Sequence, residues 1–231
     1  MFPFEKADPL KKRYLVFGCF YELELNGTMK LPCRNVLEIY DRNAYKADEI
    51  PGAAPDAVVI MMNPGKSAPL DDTFVPPRVK SRNLNLIYSR ETLVEARPDH
   101  AQYQIMRLMS LKNWTSVRIL NLSDIREPDS QRFAKIIQHP LLAEHSVHSL
   151  FSPKRTNELR FALQRKKGAP IIAAWGKAPF LIPLAEMCLS AIDQDVIGIA
   201  SDTHPMLFDH ACPSLQSQKV EWLKAIMEKL P

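Results

Sequence analysis

An apolar run at residues 57–62, AVVIMM, is followed directly by Asn63, Pro64 and Gly65. A short run that carries no charge and is bounded by turn residues is typical of a strand buried on both faces of a sheet. Pro64 stiffens the chain as it leaves the strand, and Gly65 allows a tight turn or the close approach of a ligand. Open α/β sheets bind ligands outside the carboxyl ends of their strands. The run therefore predicts either an ordinary turn after a core strand or a site that contains Asn63.

Apolar strands alternate with helices from residue 57 onward. The predicted strands are 57–62, 116–120, 170–175 and 195–200. The predicted helices are 99–112, 129–137, 153–167, 178–191 and 214–229, and residues 84–98 fit either a helix or a strand. This alternation favours a three-layer α/β fold in which a mostly parallel central sheet is flanked by helices.

The first 45 residues contain a hairpin pattern. Strands predicted at 14–25 and 28–40 flank Asn26 and Gly27, and this dipeptide is a strong signal for a tight hairpin turn. Pro32 lies within the second strand and has no N–H to donate to a ladder, which favours an edge position. The N-terminal region therefore predicts an antiparallel hairpin on the edge of the sheet.

Length and composition fit one globular domain spanning residues 1–231, with 46% apolar and 24% charged residues. No apolar run reaches the length of about 18 residues that a membrane span needs. The N-terminal stretch carries charges where a secretory signal would be apolar, so we expect a cytoplasmic protein. The formal net charge of +4 permits a phosphate-bearing partner, and nothing in the sequence indicates an obligate protein partner.

Polar or turn residues follow each of the predicted apolar strands. Asn63 follows the first strand, Asn121 follows the second, Trp175 ends the third, and His204 follows the fourth. Each has an ordinary explanation, as a turn residue, a helix cap, a core aromatic or a loop histidine. Because the carboxyl ends of parallel strands share one edge, their joint placement favours a single ligand-binding cleft.

The order of these strand ends resembles that of the uracil-DNA glycosylase superfamily and, more closely, the uncharacterised domain-of-unknown-function family 1643. The matching segments are VIMMNPGKS, DDTF, RILNLSDIR, IIAAWGKA and THPML, within residues 57–208. The resemblance implies the same three-layer fold and a protein that recognises a nucleobase in nucleic acid or in a nucleotide. It also implies hydrolysis of an N-glycosidic bond.

The resemblance implies catalytic roles for Asn63 and His204. Asn63 would orient the attacking water by hydrogen bonds, since an amide is not a strong general base. His204 would stabilise the negative charge that develops on the leaving base. The implied substrate-binding residues include Asn121, which would contact the edge of the base, and Phe74, which would stack on it. The others are Pro64, Gly65 and Trp175.

Charged residues near the motifs have two interpretations each. Lys66, Arg126 and Lys177 would suit phosphate contacts, as would Arg78, Lys80 and Arg82, but all are equally compatible with a solvated surface. Asp71, Asp72 and Thr73 would form an additional polar site that supplies a second carboxylate or a metal contact, or they would simply cap a loop.

Departures from the superfamily pattern leave two alternative functions open. Met206 stands where a serine often follows His-Pro, so a phosphate-contacting hydroxyl is missing. One alternative is a binding module for nucleic acid or nucleotides that has lost its catalytic activity. The other is a small nucleotide hydrolase with a divalent metal at Asp71 and Asp72. The four cysteines lack the close pairing of cluster sites, so we predict free thiols and no cofactor.

Overall fold

The computed structural model describes residues 2–45, 54–81 and 92–231. The described strands are β1 Tyr14–Leu25, β2 Met29–Asp41, β3 Ala57–Met61, β4 Ala68–Pro69, β5 Arg78–Lys80, β6 Val94–Arg97, β7 Ser116–Asn121, β8 Ile171–Ala173 and β9 Ile197–Gly198. The described α-helices are α1 Ala7–Arg13, α2 His100–Lys112, α3 Ser130–Ile137, α4 Pro140–His145, α5 Thr156–Ala162, α6 Ile182–Ala191 and α7 Gln216–Lys229. Short 3-10 turns, Pro153–Arg155 and Pro179–Leu181, lead into α5 and α6.

The described strands form one mixed sheet in the order β4-β6-β1-β2-β7-β3-β8-β9, with β5 paired to β1. Strands β7, β3, β8 and β9 run parallel to one another. The pairs β1–β2, β1–β6, β2–β7 and β4–β6 are antiparallel. The predicted α/β fold is confirmed, but the expected parallel majority is not. Parallel pairing dominates only the half that carries the strand-end motifs.

Helices cover both faces of the sheet, so the predicted three layers are present. On one face, Val58 and Ile60 pack with side chains of α3, α5 and α6. On the other face, Val59 and Met61 pack with α1, α2 and α7. The central strand β3 is therefore apolar at every position because both of its faces lie in a core.

The predicted hairpin is present, but its predicted edge position is wrong. Asn26 and Gly27 form the turn with φ of 48° and 73°, as a tight hairpin turn requires. β6 pairs with β1 on one side and β7 pairs with β2 on the other, so the hairpin lies within the sheet. Pro32 is tolerated because it lies outside the part of β2, Leu37–Tyr40, that pairs with β7.

Several predicted boundaries move in the C-terminal half. The predicted helix 153–167 is replaced by the first 3-10 turn and α5, and the basic residues 165–167 follow the helix instead of ending it. The predicted strands 170–175 and 195–200 shorten to β8 and β9. Within the ambiguous segment 84–98, residues 94–97 form β6. The rest of that segment up to residue 91, and Arg82, lie outside the described residues.

The described helices are all too short or too polar to span a bilayer. Cys19, Cys33 and Cys188 are buried free thiols, and Cys212 is a half-buried one, as the sequence predicts.

Candidate functional site

The site is built where β3 and β7 end side by side. Parallel pairing places Met61 opposite Asn121, and the two chains stay together beyond the sheet. Leu122 N donates to Met61 O at 2.8 Å, and Ser123 N donates to Met62 O at 3.2 Å. Asn63 therefore emerges beside the segment that follows β7.

The side-chain amide of Asn63 is held by that segment. Its Nδ2 donates to Ile125 O at 3.2 Å and to Glu127 O at 2.6 Å. Both amide hydrogens are then used, and Oδ1, a hydrogen-bond acceptor, has no partner among the described residues. Asn63 is half-buried, so this acceptor is fixed in direction by the fold.

The turn after Asn63 faces a carboxylate that the sequence analysis did not identify as a site residue. Gly65 has φ of +57°, which favours glycine, and a Cβ at this position would lie 3.6 Å from Asp99 Oδ2. Asp99 is the N-cap of α2, where its Oδ1 accepts from Gln102 N at 3.0 Å and Gln102 Oε1 accepts from Asp99 N. The sequence Asp-His-Ala-Gln carries the signal for such a capping box.

Asn121 supports the site but does not line it. It is fully buried, and with its amide oriented to satisfy both neighbours, its nitrogen donates to the Asn63 backbone O at 3.2 Å. Its oxygen accepts from Arg34 Nη2 at 2.9 Å. Because both ends of the amide have internal partners, the predicted contact with a base does not fit this structure.

Arg34 is an unexpected buried charge behind the site. It is 1% exposed, and its Nε and Nη1 have no hydrogen-bond partner among the described residues. Burial lowers the pKa of Arg34 to about 10. A sequence gives no signal for such a residue, since an arginine in a strand usually faces solvent.

A buried polar network anchors the segment that holds Asn63. Asp124 Oδ2 accepts from Tyr21 Oη at 2.8 Å and pairs with Arg155, whose Nη2 contacts Glu158 Oε1 at 2.7 Å. Burial raises the pKa of Asp124 to about 6, against the opposing effect of Arg155. The network holds Asp124, which directly precedes Ile125, one of the two residues whose carbonyl groups orient Asn63.

His204 lies on the next part of the same edge, beyond β8 and β9. It is half-buried, and its Nδ1 accepts from Met206 N at 3.3 Å, which leaves the hydrogen of a neutral ring on Nε2. No hydrogen bond joins His204 to Asn63 within the part of the chain that the structure describes. Both predicted catalytic residues therefore follow parallel strands of the sheet at its carboxyl edge.

Trp175 is a core residue, so its predicted role in substrate binding does not fit this structure. It is fully buried, and its Nε1 donates to Met206 O at 3.1 Å. Its ring packs edge-on against Phe208 with the centroids 5.1 Å apart. Trp175 instead ties the loop of His204 to the end of β8.

The loop between residues 64 and 80 places the remaining predicted residues. Pro64 is buried, and Phe74 is half-buried against the core on the α2 and α7 face. Asp71 Oδ1 accepts from Thr73 N at 2.8 Å and from Thr73 Oγ1 at 2.7 Å, and Asp72 pairs with Arg97 at 2.7 Å. These contacts agree with the interpretation in which Asp71, Asp72 and Thr73 cap a loop. No group of three or more metal-ligating side chains occurs among the described residues.

The three residues predicted to contact phosphate differ in whether their charged groups are free to bind a ligand. Lys66 is exposed next to the Asn-Pro-Gly turn. Arg126 Nε donates to Ser67 O at 2.5 Å, its guanidinium lies over the Phe20 ring, and burial lowers its pKa. Lys177 pairs with Asp209 at 2.6 Å. Lys66 is thus the best placed of these three to meet a phosphate.

The structure brings Asn63, Gly65, Asp99 and the supporting Asn121 together, and places His204 further along the same edge. The fixed acceptor of Asn63, the nearby carboxylate of Asp99 and the exposed Lys66 could together orient a water molecule beside an anionic ligand. Comparison of the chain with protein-family models, curated proteins and solved structures gave no match.

Proposed function

We propose that this protein binds a nucleobase, in nucleic acid or in a nucleotide, at the carboxyl edge of β3 and hydrolyses its N-glycosidic bond. The observation that carries the proposal is the orientation of Asn63. Because Ile125 O and Glu127 O take both amide hydrogens, Oδ1 is left to accept a hydrogen bond from water.

The proposed reaction assigns one step to each group. Water held by Asn63 Oδ1 attacks the anomeric carbon of the sugar while the bond from that carbon to the base nitrogen breaks. The bonding electron pair leaves with the base, and His204 Nε2–H donates a hydrogen bond to the base oxygen that gains charge. The proton of the water passes to Asp99, because an amide cannot act as a strong base.

Base release from a panel of substrates tests this function. The panel contains uracil, mismatched and modified bases in single- and double-stranded oligonucleotides, together with free nucleosides. We expect release from at least one substrate, and a loss of at least about 100-fold in Asn63→Ala and in Asp99→Asn, since each removes a group that acts in the transition state.

Matched controls separate chemistry from folding. Asn43→Ala changes an exposed loop asparagine, and Asp129→Asn changes the N-cap of α3, where Asp129 Oδ1 accepts from Arg132 N at 2.7 Å. Both controls should keep wild-type activity. Release of no base from any substrate, or wild-type rates in Asn63→Ala, would contradict the proposal.

A second candidate is a binding module without catalysis, and the amide at position 63 favours it because no carboxylate occupies that position. Binding of oligonucleotides or nucleotides with a steep salt dependence but no base release would support it. The metal-dependent hydrolase receives no support from the described residues, because Asp71 and Asp72 are occupied by Thr73 and Arg97.

A further inference from the structure

The positive charge of the chain is concentrated in one stretch. Residues 153–168 contain six basic residues and one acidic residue, so this stretch carries a formal charge of +5 against +4 for the whole chain. Arg155 and Glu158 pair with each other inside the protein. The other basic residues are exposed or half-buried: Lys154, Arg160, Arg165, Lys166 and Lys167. Clustering of cations on one part of a protein is typical of a surface that binds a polyanion.

The stretch lies at the amino edge of the parallel strands, opposite the candidate site. It contains α5 and the loop that enters β8, and α5 packs on the same face of the sheet as Val58 and Ile60. Lys166 N donates to Pro55 O at 3.1 Å, and Lys166 Nζ pairs with Asp56 directly before β3. Because Asn63 follows the carboxyl end of β3, the cationic stretch and the candidate site lie at opposite ends of that strand.

A surface cavity of about 560 Å³ is formed by this loop at the amino ends of β8 and β9. Its described lining contains three cations and one carboxylate, namely Arg165, Lys166, Lys167 and Asp195. Lys166 is neutralised by Asp56, whereas Arg165 and Lys167 make no ion pair within the described part of the chain. The cavity therefore keeps an excess of positive charge that a phosphate group would neutralise.

Neutral acceptors hold the guanidinium of Arg165 in place. Nε donates to Ala169 O at 2.8 Å, Nη1 donates to Leu163 O at 3.0 Å, and Nη2 donates to the side-chain oxygen of Gln194. These bonds use three of the five N–H groups that a guanidinium carries. A cation that is fixed without an anionic partner, in the wall of a surface cavity, is suited to a phosphate group.

An exposed aromatic ring lies beside these cations. Phe161 is 45% exposed and follows Arg160 on α5. Its carbonyl oxygen and that of Gln164, which lines the cavity, both accept from Arg118 Nη1, at 3.4 and 2.8 Å. An aromatic ring next to cations is a stacking platform for a base that is not already stacked, as in a single strand.

We propose that Lys154, Arg160, Phe161, Arg165 and Lys167 form a contact surface for single-stranded nucleic acid, which we name the amino-edge surface. The cations contact successive phosphates, with Arg165 and Lys167 binding one in the cavity, and Phe161 stacks on a base. The amino-edge surface lies away from Asn63 and does not rest on the proposed hydrolysis.

Anisotropy of a fluorescent single-stranded oligonucleotide with the full chain, at several salt concentrations, tests the cations. Each phosphate contact on a single strand contributes about 0.7 to the slope of log affinity against log salt, so Lys154→Ala/Lys167→Ala should lower the slope by about 1.4. The control is Lys12→Ala/Lys229→Ala, which removes the same charge from exposed positions of α1 and α7 on the other face of the sheet. The control should leave the slope unchanged.

Phe161→Ala tests the choice of nucleic acid among polyanions. Loss of the stacking platform should weaken affinity for the oligonucleotide about fivefold or more. Affinity for heparin, a polyanion without bases, should not change. Leu215→Ala, which truncates another exposed apolar side chain, is the matched control and should keep wild-type affinity for both.

Four outcomes would overturn the proposal. They are the absence of oligonucleotide binding, equal slopes in the two double variants, unchanged oligonucleotide affinity in Phe161→Ala, and an equal loss of heparin and oligonucleotide affinity in that variant. Binding of phosphatidylserine vesicles without binding of the oligonucleotide would also overturn it, because the cations would then contact a lipid surface.

The outcomes also separate the amino-edge surface from the proposed activity. Oligonucleotide binding that depends on Lys154, Lys167 and Phe161, without release of any base, supports the surface and contradicts the proposed function. Base release with wild-type oligonucleotide affinity in the same variants overturns the surface and leaves the proposed function standing.

Discussion

At the scale of single residues, the amide of Asn63 is held in one orientation by the fold. Two backbone carbonyl groups accept hydrogen bonds from the side-chain nitrogen of Asn63. The side chain of Asn121 donates to the backbone oxygen of Asn63. An aspartate at this position would have nearly the same shape but no amide hydrogens. The fold therefore selects an amide at position 63 independently of any catalytic need.

Asn63→Asp should consequently destabilise the protein. Ile125 O and Glu127 O would lose their donors and face a carboxylate, so we expect a loss of about 2 kcal/mol or more in the free energy of unfolding at pH 8. A protonated carboxyl keeps one donor, so the loss should be smaller at pH 4. Urea denaturation at both pH values measures it. Equal stability of Asn63→Asp and the exposed variant Asn43→Asp would contradict the expectation.

The residue scale also shows how far the sequence can identify a site. Asn63 could be located because an apolar run and turn residues mark a strand end. The sequence could not test the roles expected for Asn121 and Trp175. A residue's position at the end of a strand does not show whether its side chain is already hydrogen-bonded inside the protein. Arg34 is hydrogen-bonded to Asn121 across strands, and such a contact has no local sequence pattern.

At the scale of elements, Asp56 joins three parts of the chain. It precedes β3, accepts from Thr115 N and Ser116 N at the start of β7, and pairs with Lys166 Nζ in the turn before β8. Burial acts to raise the pKa of Asp56, but hydrogen bonds from Lys166, Ser116 and Thr115 together hold it below its usual value.

Asp56→Asn should therefore destabilise the sheet in a pH-dependent way. A lowered pKa in the folded state stabilises the protein above the unfolded pKa, and this stabilisation is lost as the pH falls through the folded pKa. We expect a loss of about 1–3 kcal/mol at pH 7 and a much smaller difference between variant and wild type near pH 2. Denaturant unfolding across this range measures it, and a difference independent of pH would contradict the assignment.

Elements with strong local signals were predicted closely. The hairpin, α2 and α7 have a turn dipeptide or a helical apolar period, and each begins within two residues of its expected position. Strands β4, β5 and β6 have two to four residues each and no such signal. These strands form only because they pair with distant segments of the chain. The sequence therefore does not reveal that β6 covers the side of the hairpin that was predicted to be an edge.

At the scale of the whole molecule, the formal net charge of +4 arises from 30 basic and 26 acidic residues. Several cations near the sheet edge, including Arg97 and Lys177, are paired with carboxylates. Among the residues that the structure describes, a nucleic acid would therefore meet few unpaired cations at the proposed site, and Lys66 is an exposed lysine next to the turn after Asn63.

Lys66→Ala should weaken binding of single-stranded oligonucleotides equally for all sequences. On a single strand, each phosphate contact contributes about 0.7 to the slope of log affinity against log salt, so the slope should fall by about that amount. Fluorescence anisotropy at several salt concentrations measures it. Lys229→Ala, an exposed lysine at the end of α7, is the matched control, and an identical slope in both variants would contradict a phosphate contact at Lys66.

The hydrogen bonds of Asn63 have a consequence for the order of folding. Its partners lie 62 and 64 residues further along the chain, so no local segment can orient the amide. Contacts of such long sequence separation form late, after the cost of closing the intervening loop. Any function of Asn63 should return during refolding only after β3 and β7 have paired, later than the hairpin of β1 and β2.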